Sequence, residues 1–154
     1  ASLAEGNSGT TAYAFTVTRT GDASKAVAAT WQVAGIGAEF LKKFDPAYER
    51  CWVAELDGAR VGSVFVVRKK ATVAQLRMLI LTPSARGLGL GARLTDECIA
   101  FARSKGYRKM VLWTNSCLTA ARAIYAKRGF ELIESQPYQG FGQPLVSETW
   151  ALKL

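Results

Sequence analysis

The stretch that most constrains this chain is Leu76 to Gly91, LRMLILTPSARGLGLG. An apolar run is closed by Thr82-Pro83 and passes into a loop with glycines at alternate positions, and that loop opens a segment of helical periodicity. Glycines let backbone N–H groups turn toward an anion without side chains in the way, and a helix N-terminus adds a partial positive charge. Arg86 adds a full one, so the loop fits a pyrophosphate, although a plain strand-to-helix turn uses the same residues. A Walker loop requires Gly-Lys-Ser/Thr at its end, whereas Gly91 is followed by Ala92-Arg93, and a Rossmann fingerprint requires a parallel βαβ start that this chain lacks.

The surrounding pattern is mixed. Ala14–Arg19 and Ala26–Val33 read as a hairpin about Thr20-Gly21-Asp22, after a Gly/Ser-rich lead from Ala1 to Gly9. Residues Ala38–Phe44 suit a short helix closed by Asp45-Pro46. Strands follow at Cys51–Leu56, Val61–Arg68 and Val73–Leu81, the first two joined by an Asp57-Gly58 turn that makes them antiparallel. From Gly91 the apolar residues Leu94, Cys98, Phe101 and Ala102 recur at helical spacing up to a capping Gly106. Met110–Trp113 reads as a buried strand and Ala120–Lys127 as a helix closed by Gly129; Phe130–Ile133 and Val146–Leu154 are the last strands. The fold class is α/β of the α+β type, with a mostly antiparallel sheet flanked by helices.

Composition removes several functions. A chain of 154 residues with four Trp, five Tyr and seven Phe can bury a core without disulfides or metals. It has no histidine, which excludes His-based triads and His metal ligands, so no metal cofactor is expected. Cys51, Cys98 and Cys117 lack paired spacing and lie in apolar segments, which predicts buried free thiols and a reducing, cytoplasmic setting. The net charge of +8 favours an anionic partner, but Lys and Arg are scattered and no recognition-helix pattern or RNA-binding aromatic motif occurs, so nucleic acid is not expected as a partner of this chain by itself. No apolar stretch is long enough to span a membrane and no signal-peptide pattern opens the chain, so no membrane partner is expected.

Arg86-Gly87-Leu88-Gly89-Leu90-Gly91 matches the Arg/Gln-x-x-Gly-x-Gly/Ala signature of the GNAT superfamily of N-acetyltransferases, and the chain resembles that family well beyond the six residues. The strand Leu79–Pro83 and the later Tyr125-Ala126-Lys127-Arg128-Gly129-Phe130 fall in the family's order and spacing. From about Ile36 to Leu154 the chain is most similar to the acetyltransferase half of MarR-type regulator fusions, without the MarR half. The resemblance implies transfer of an acetyl group from acetyl-CoA to a primary amine of a small molecule or peptide. It implies that backbone groups of Leu79 and Leu81 pair with the pantetheine arm, that amides of Arg86, Gly87, Leu88, Gly89, Leu90 and Gly91 hold the pyrophosphate, and that Arg122 and Lys127 are candidates for a cofactor phosphate. Tyr125 takes the place of the family's general acid, a position that a packed core tyrosine would also fill. Two positions depart from the pattern. Gln75 stands on the strand where relatives carry a glutamate base, leaving Glu55 through water or an amine that arrives neutral. Leu118 stands where an asparagine is usual, and Asn115 is placed to take over that cofactor contact.

The family usually begins with a strand and two helices that wall the acceptor site. Here residues 4–35 resemble part of a Calx-beta repeat instead, on the run Phe15-Thr16-Val17-Thr18-Arg19-Thr20-Gly21-Asp22. The expected division is therefore a β-hairpin segment at 1–35 and an acetyl-CoA-binding domain at 36–154, with a sheet edge open enough for a homodimer by strand pairing. Two other functions compete with the enzyme: an acyl-CoA-binding relic or sensor without turnover, and a β-structured interaction module.

Overall fold

The computed structural model describes residues 12–17, 27–32, 44–140 and 143–154. Strands β1 (Ala12–Val17) and β2 (Val27–Gln32) pair antiparallel, with Ala12 opposite Gln32 and Val17 opposite Val27, as a two-stranded sheet of their own. This is the hairpin that the Thr-rich alternation predicts, moved back by two residues in its first strand. The expected turn at Thr20–Asp22, the lead Ala1–Gly9 and, except for Phe44, the helix at Ala38–Phe44 lie outside the described residues.

The main sheet has six strands: β3 (Arg50–Leu56), β4 (Ala59–Lys70), β5 (Val73–Leu81), β6 (Lys109–Asn115), β7 (Glu131–Gly140) and β8 (Gln143–Lys153). Their order is β3-β4-β5-β6-β8-β7, and β2 runs beside the β3 edge. Asp57 and Gly58 both have positive φ, +52° and +79°, as the tight turn between β3 and β4 requires. Neighbours are antiparallel except β5 and β6, whose parallel pairing demands a crossover, supplied by helix α1 (Leu90–Ser104). A second helix, α2 (Thr119–Ala126), joins β6 to β7. The mixed, mostly antiparallel sheet with flanking helices is the architecture expected from the sequence.

One core holds these layers together. Leu94, Cys98, Phe101 and Ala102 of α1 pack with Val64 and Val66 of β4, Leu76 of β5, and Met110 and Leu112 of β6, all buried. Trp52 meets Phe101 edge to face at 5.6 Å between centroids. Thr95 is fully buried in this apolar layer because its hydroxyl donates to the Gly91 carbonyl at 2.8 Å.

Three expectations need correction. Cys117 is exposed, unlike buried Cys51 and Cys98, because it sits in the turn between β6 and α2. Trp113 is 48% exposed, although Met110 to Leu112 are buried as expected: side chains alternate along β6, and β5 has left its flank at that point. The last two strands are longer than Phe130–Ile133 and Val146–Leu154, since β7 continues through Pro137 and β8 begins before Pro144. Proline interrupts a strand pattern in sequence, but β7 is an edge strand, where a missing N–H costs no ladder bond.

Candidate active site

The site begins where the central strands part. The β5–β6 ladder runs from Val73↔Lys109 to Leu76↔Leu112 and stops, while β6 continues to Asn115 along β8. A bulge turns β5 away: Phe65 faces Arg77 and Ser63 faces Ile80, so Val64 alone stands against Met78 and Leu79, and Met78 takes φ +55°. Gly62 permits the bend, because a Cβ there would collide with the Leu81 side chain and lie 2.8 Å from the Ile80 carbonyl oxygen.

The parting opens a cleft of about 630 Å³ between Gln75–Ile80 of β5 and Trp113–Asn115 of β6, closed below by Leu118, Ala121 and Tyr125. Leu79, Ile80, Leu118 and Ala121 also line an adjoining cavity of about 400 Å³ that reaches Leu81, Arg86 and Gly91. The two form a groove from the sheet's interior to the glycine loop. Thr82 donates its N–H to the Val61 carbonyl at 2.8 Å, toward β4. Donors alternate along a strand, so the N–H and C=O of Leu81, and of Leu79 one pleat back, face the groove.

At the outer end, Gly87 and Gly89 both have φ +75°, and Gly89 caps α1 in the left-handed region with no side-chain hydrogen bond. No described residue accepts the N–H groups of Gly87, Leu88, Gly89, Leu90 or Gly91, and no acid sits in the first turn to offset the helix dipole. Arg86, exposed beside them, adds a positive charge to this end of the groove, a combination suited to an anion. Gly91 serves packing: a Cβ there would lie 3.0 Å from Ile124 Cδ1 and 3.3 Å from Leu81 Cδ1, so glycine lets α1 start close against β5 and α2.

At the inner end, Tyr125 is 5% exposed, its ring tilted against Phe130 at 5.8 Å, and its hydroxyl makes no hydrogen bond to a described residue. Burial, with a smaller contribution from Cys98, pushes the phenol up to about 12, so it is protonated at neutral pH and able to donate. Asn115 is buried at the end of β6, and its Oδ1 has no hydrogen-bond partner among the described residues. An orphaned acceptor lining a cleft costs roughly 1–3 kcal/mol unless something donates to it, so the cleft is suited to a ligand N–H.

The remaining candidates lie elsewhere. Arg122 Nε donates to Glu148 Oε2 at 2.9 Å, its guanidinium also lies 5.9 Å from the Trp150 ring, and it lines neither cavity. Glu148 is buried on β8 and takes a second bond from Trp150 Nε1 at 2.9 Å; a lone carboxylate in the apolar alternation of this strand was the signal for such a partner. Lys127 is exposed at the C-terminal cap of α2, away from both cavities. Glu55 is on β3, two strands from β5, with Arg60 at 3.9 Å, whereas Gln75 does line the cleft. Sequence reasoning did not single out Arg77 and Trp113, which flank the mouth of the cleft; only the register brings them together. Among the described residues no cluster of His, Cys, Asp or Glu could hold a metal, and no helix is long and apolar enough to cross a membrane.

The profile described as "Acetyltransferase (GNAT) family" matches residues 22–130. A mycothiol acetyltransferase from Beutenbergia cavernae is 32% identical over 89 residues, 56% of this chain and 29% of that protein. An uncharacterized N-acetyltransferase from Archaeoglobus fulgidus is 30% identical over 89 residues, 54% of this chain and 60% of that protein. The chain thus spans less than two thirds of either relative. Among solved structures, yncA, a putative acetyltransferase from Salmonella typhimurium with its cofactor acetyl-CoA, superposes with a TM-score of 0.64 at 22% identity, covering 70% of this chain and 65% of that one.

Proposed function

The chain belongs to the acetyltransferase (GNAT) family, and from that membership we propose that it transfers an acetyl group from acetyl-CoA to a primary amine. The observation that carries the proposal is a single groove joining an open strand edge, an unpaired helix N-terminus and a protonated phenol. Each part answers a part of the cofactor. The amides of Arg86 to Gly91 and the Arg86 side chain suit the pyrophosphate. The inward N–H and C=O groups of Leu79 and Leu81 suit the amides of the pantetheine arm, and Asn115 Oδ1 accepts an N–H from the same arm.

The thioester then lies at the inner end of the cleft, beside Tyr125. The amine nitrogen bonds to the acetyl carbon as the carbon–sulfur bond breaks, Tyr125 gives its proton to the departing sulfur, and the amine sheds one proton to solvent. No carboxylate lines the cleft among the described residues, so the amine enters in its neutral form or deprotonates through water.

Narrower readings belong to the same proposal. The Calx-beta likeness and the division at residues 35–36 rest on the Phe15–Asp22 run and on β1 and β2 forming a sheet of their own, although the family match starts at residue 22 and so includes β2; the MarR-fusion likeness rests on residues 36–154. A homodimer is favoured by the exposed Leu132 and Ile133 on the β7 edge, and a cytoplasmic setting by the acetyl-CoA supply. Calorimetry with acetyl-CoA, and with dephospho-CoA as control, tests the function: micromolar binding supports it, and no heat at millimolar cofactor overturns it.

A further inference from the structure

A phenol can donate to a departing sulfur only from a fixed position, and α2, which carries Tyr125, has little of its own to fix it. The helix is eight residues long, its N-cap Leu118 makes no side-chain bond, no acid offsets its first turn, and Tyr125 is its single buried residue. A helix of that length is marginal in isolation, so its seat depends on ties to neighbouring elements. Two arginines supply them. On the N-terminal side of Tyr125, Arg122 is bonded to Glu148 of β8. On the C-terminal side, Arg128 Nε and Nη2 donate to Asp96 Oδ1 and Oδ2 at 2.6 and 2.8 Å, a bidentate pair, while Nη1 donates to the Ile124 carbonyl at 3.3 Å. The backbone closes the same turn, with the N–H groups of Arg128 and Phe130 both donating to the Tyr125 carbonyl at 3.0 and 3.1 Å.

Arg128 therefore grips the last turn of α2 and joins it to α1. Asp96 stands on a part of α1 that has no freedom to shift: Leu94, Thr95 and Cys98 are buried around it, and the Thr95 hydroxyl is bonded to the Gly91 carbonyl. The amides suited to a pyrophosphate open this same helix at Leu90, about 9 Å away along its axis. One rigid element thus carries both the cofactor's anion site and the carboxylate that anchors the acid's helix. The Asp96 side chain is 58% exposed, and an ion pair so open to water adds little to stability. Its contribution is geometric. Resting on the acetyl-transfer reading, we propose that Arg128 and Asp96 are positioning residues: their pair registers α2 on α1 and so sets the Tyr125 hydroxyl against the thioester. A pair that acts through Tyr125 alone has nothing left to contribute once the hydroxyl is removed.

The test follows thiol release from saturating acetyl-CoA, with 2-phenylethylamine or spermidine as probe amine and with water alone, after calorimetry has shown that the cofactor binds. Arg128→Gln should lower kcat by about tenfold, as expected when a proton donor is displaced by a fraction of an ångström, with the acetyl-CoA Kd within about twofold of wild type. Arg128→Lys keeps the charge without the paired donors and should recover part of the loss. In a Tyr125→Phe background Arg128→Gln should cost no further turnover, which a merely structural role would not produce. Equal losses in both backgrounds, or no loss in the wild-type background, overturn the positioning role while leaving acetyl transfer in place. Asp96→Ala breaks the same pair from an exposed helical site and gives the same comparison if Arg128→Gln does not fold. If acetyl-CoA does not bind, if no thiol is released, or if Tyr125→Phe leaves its release unaltered, both this role and the acid on which it rests are overturned.

Discussion

Burial gives Tyr125 a reactive property and a stability signature. Its phenol is pushed from an ordinary 10.0 up to about 12, so acid catalysis should persist without loss of this proton across pH 6 to 10, and a pH–rate profile checks it. Tyr125→Phe should slow kcat by roughly 10²- to 10⁴-fold while leaving the acetyl-CoA Kd nearly unchanged; unaltered turnover would remove Tyr125 from the reaction. The folded chain holds this proton more tightly than the unfolded one. That contribution to stability is complete below pH 10 and is lost as pH rises toward 12, so the variant should flatten the alkaline decline in Tm over that window. Arg122 stands in contrast, because its guanidinium is committed to Glu148. Arg122→Met strands a buried carboxylate and should cost about 2 kcal/mol, less than a fully buried pair because Arg122 is itself 35% exposed. Denaturant midpoints should therefore move more than the cofactor Kd.

Among elements, the glycine loop and the start of α1 do different work at adjacent residues. Gly89→Val forces a β-branched residue to φ +75° and so distorts the glycine loop, so it should abolish measurable acetyl-CoA binding; normal affinity would sink the loop's assignment. Gly91→Val meets Ile124 and Leu81 instead, and should lower stability by about 1–3 kcal/mol as α1 is pushed off its seat. These elements were legible in the sequence because their signals are local. Apolar runs gave β4 and β5, the Asp57-Gly58 dipeptide gave the turn, and spacing of Leu94, Cys98 and Phe101 gave α1. The bulge at Met78 was not legible, since a single residue of positive φ inside a strand leaves no mark on composition. For the same reason Trp113 read as core: whether a strand residue is covered depends on the neighbour strand, and that neighbour leaves one residue earlier. Arg122 read as a phosphate ligand because its partner, Glu148, is 26 positions away in the chain.

Across the whole molecule, ligand binding should appear as stability. If acetyl-CoA binds only the folded chain, a concentration 100 times Kd adds about 2.7 kcal/mol, and the rise in Tm should shrink with dephospho-CoA and with added salt. The division of the sheet at β5 and β6 has a further consequence. A bare strand edge on the outside of a protein invites any passing strand, but here the bare edge is recessed, with β6 facing it and α2 beneath it. Such a slot sorts visitors by thickness before chemistry is consulted. A slender, unbranched chain carrying amides should enter such a slot more readily than a β-strand with side chains on both faces, so the gap that leaves hydrogen bonds unmade would also restrict which chains can make them.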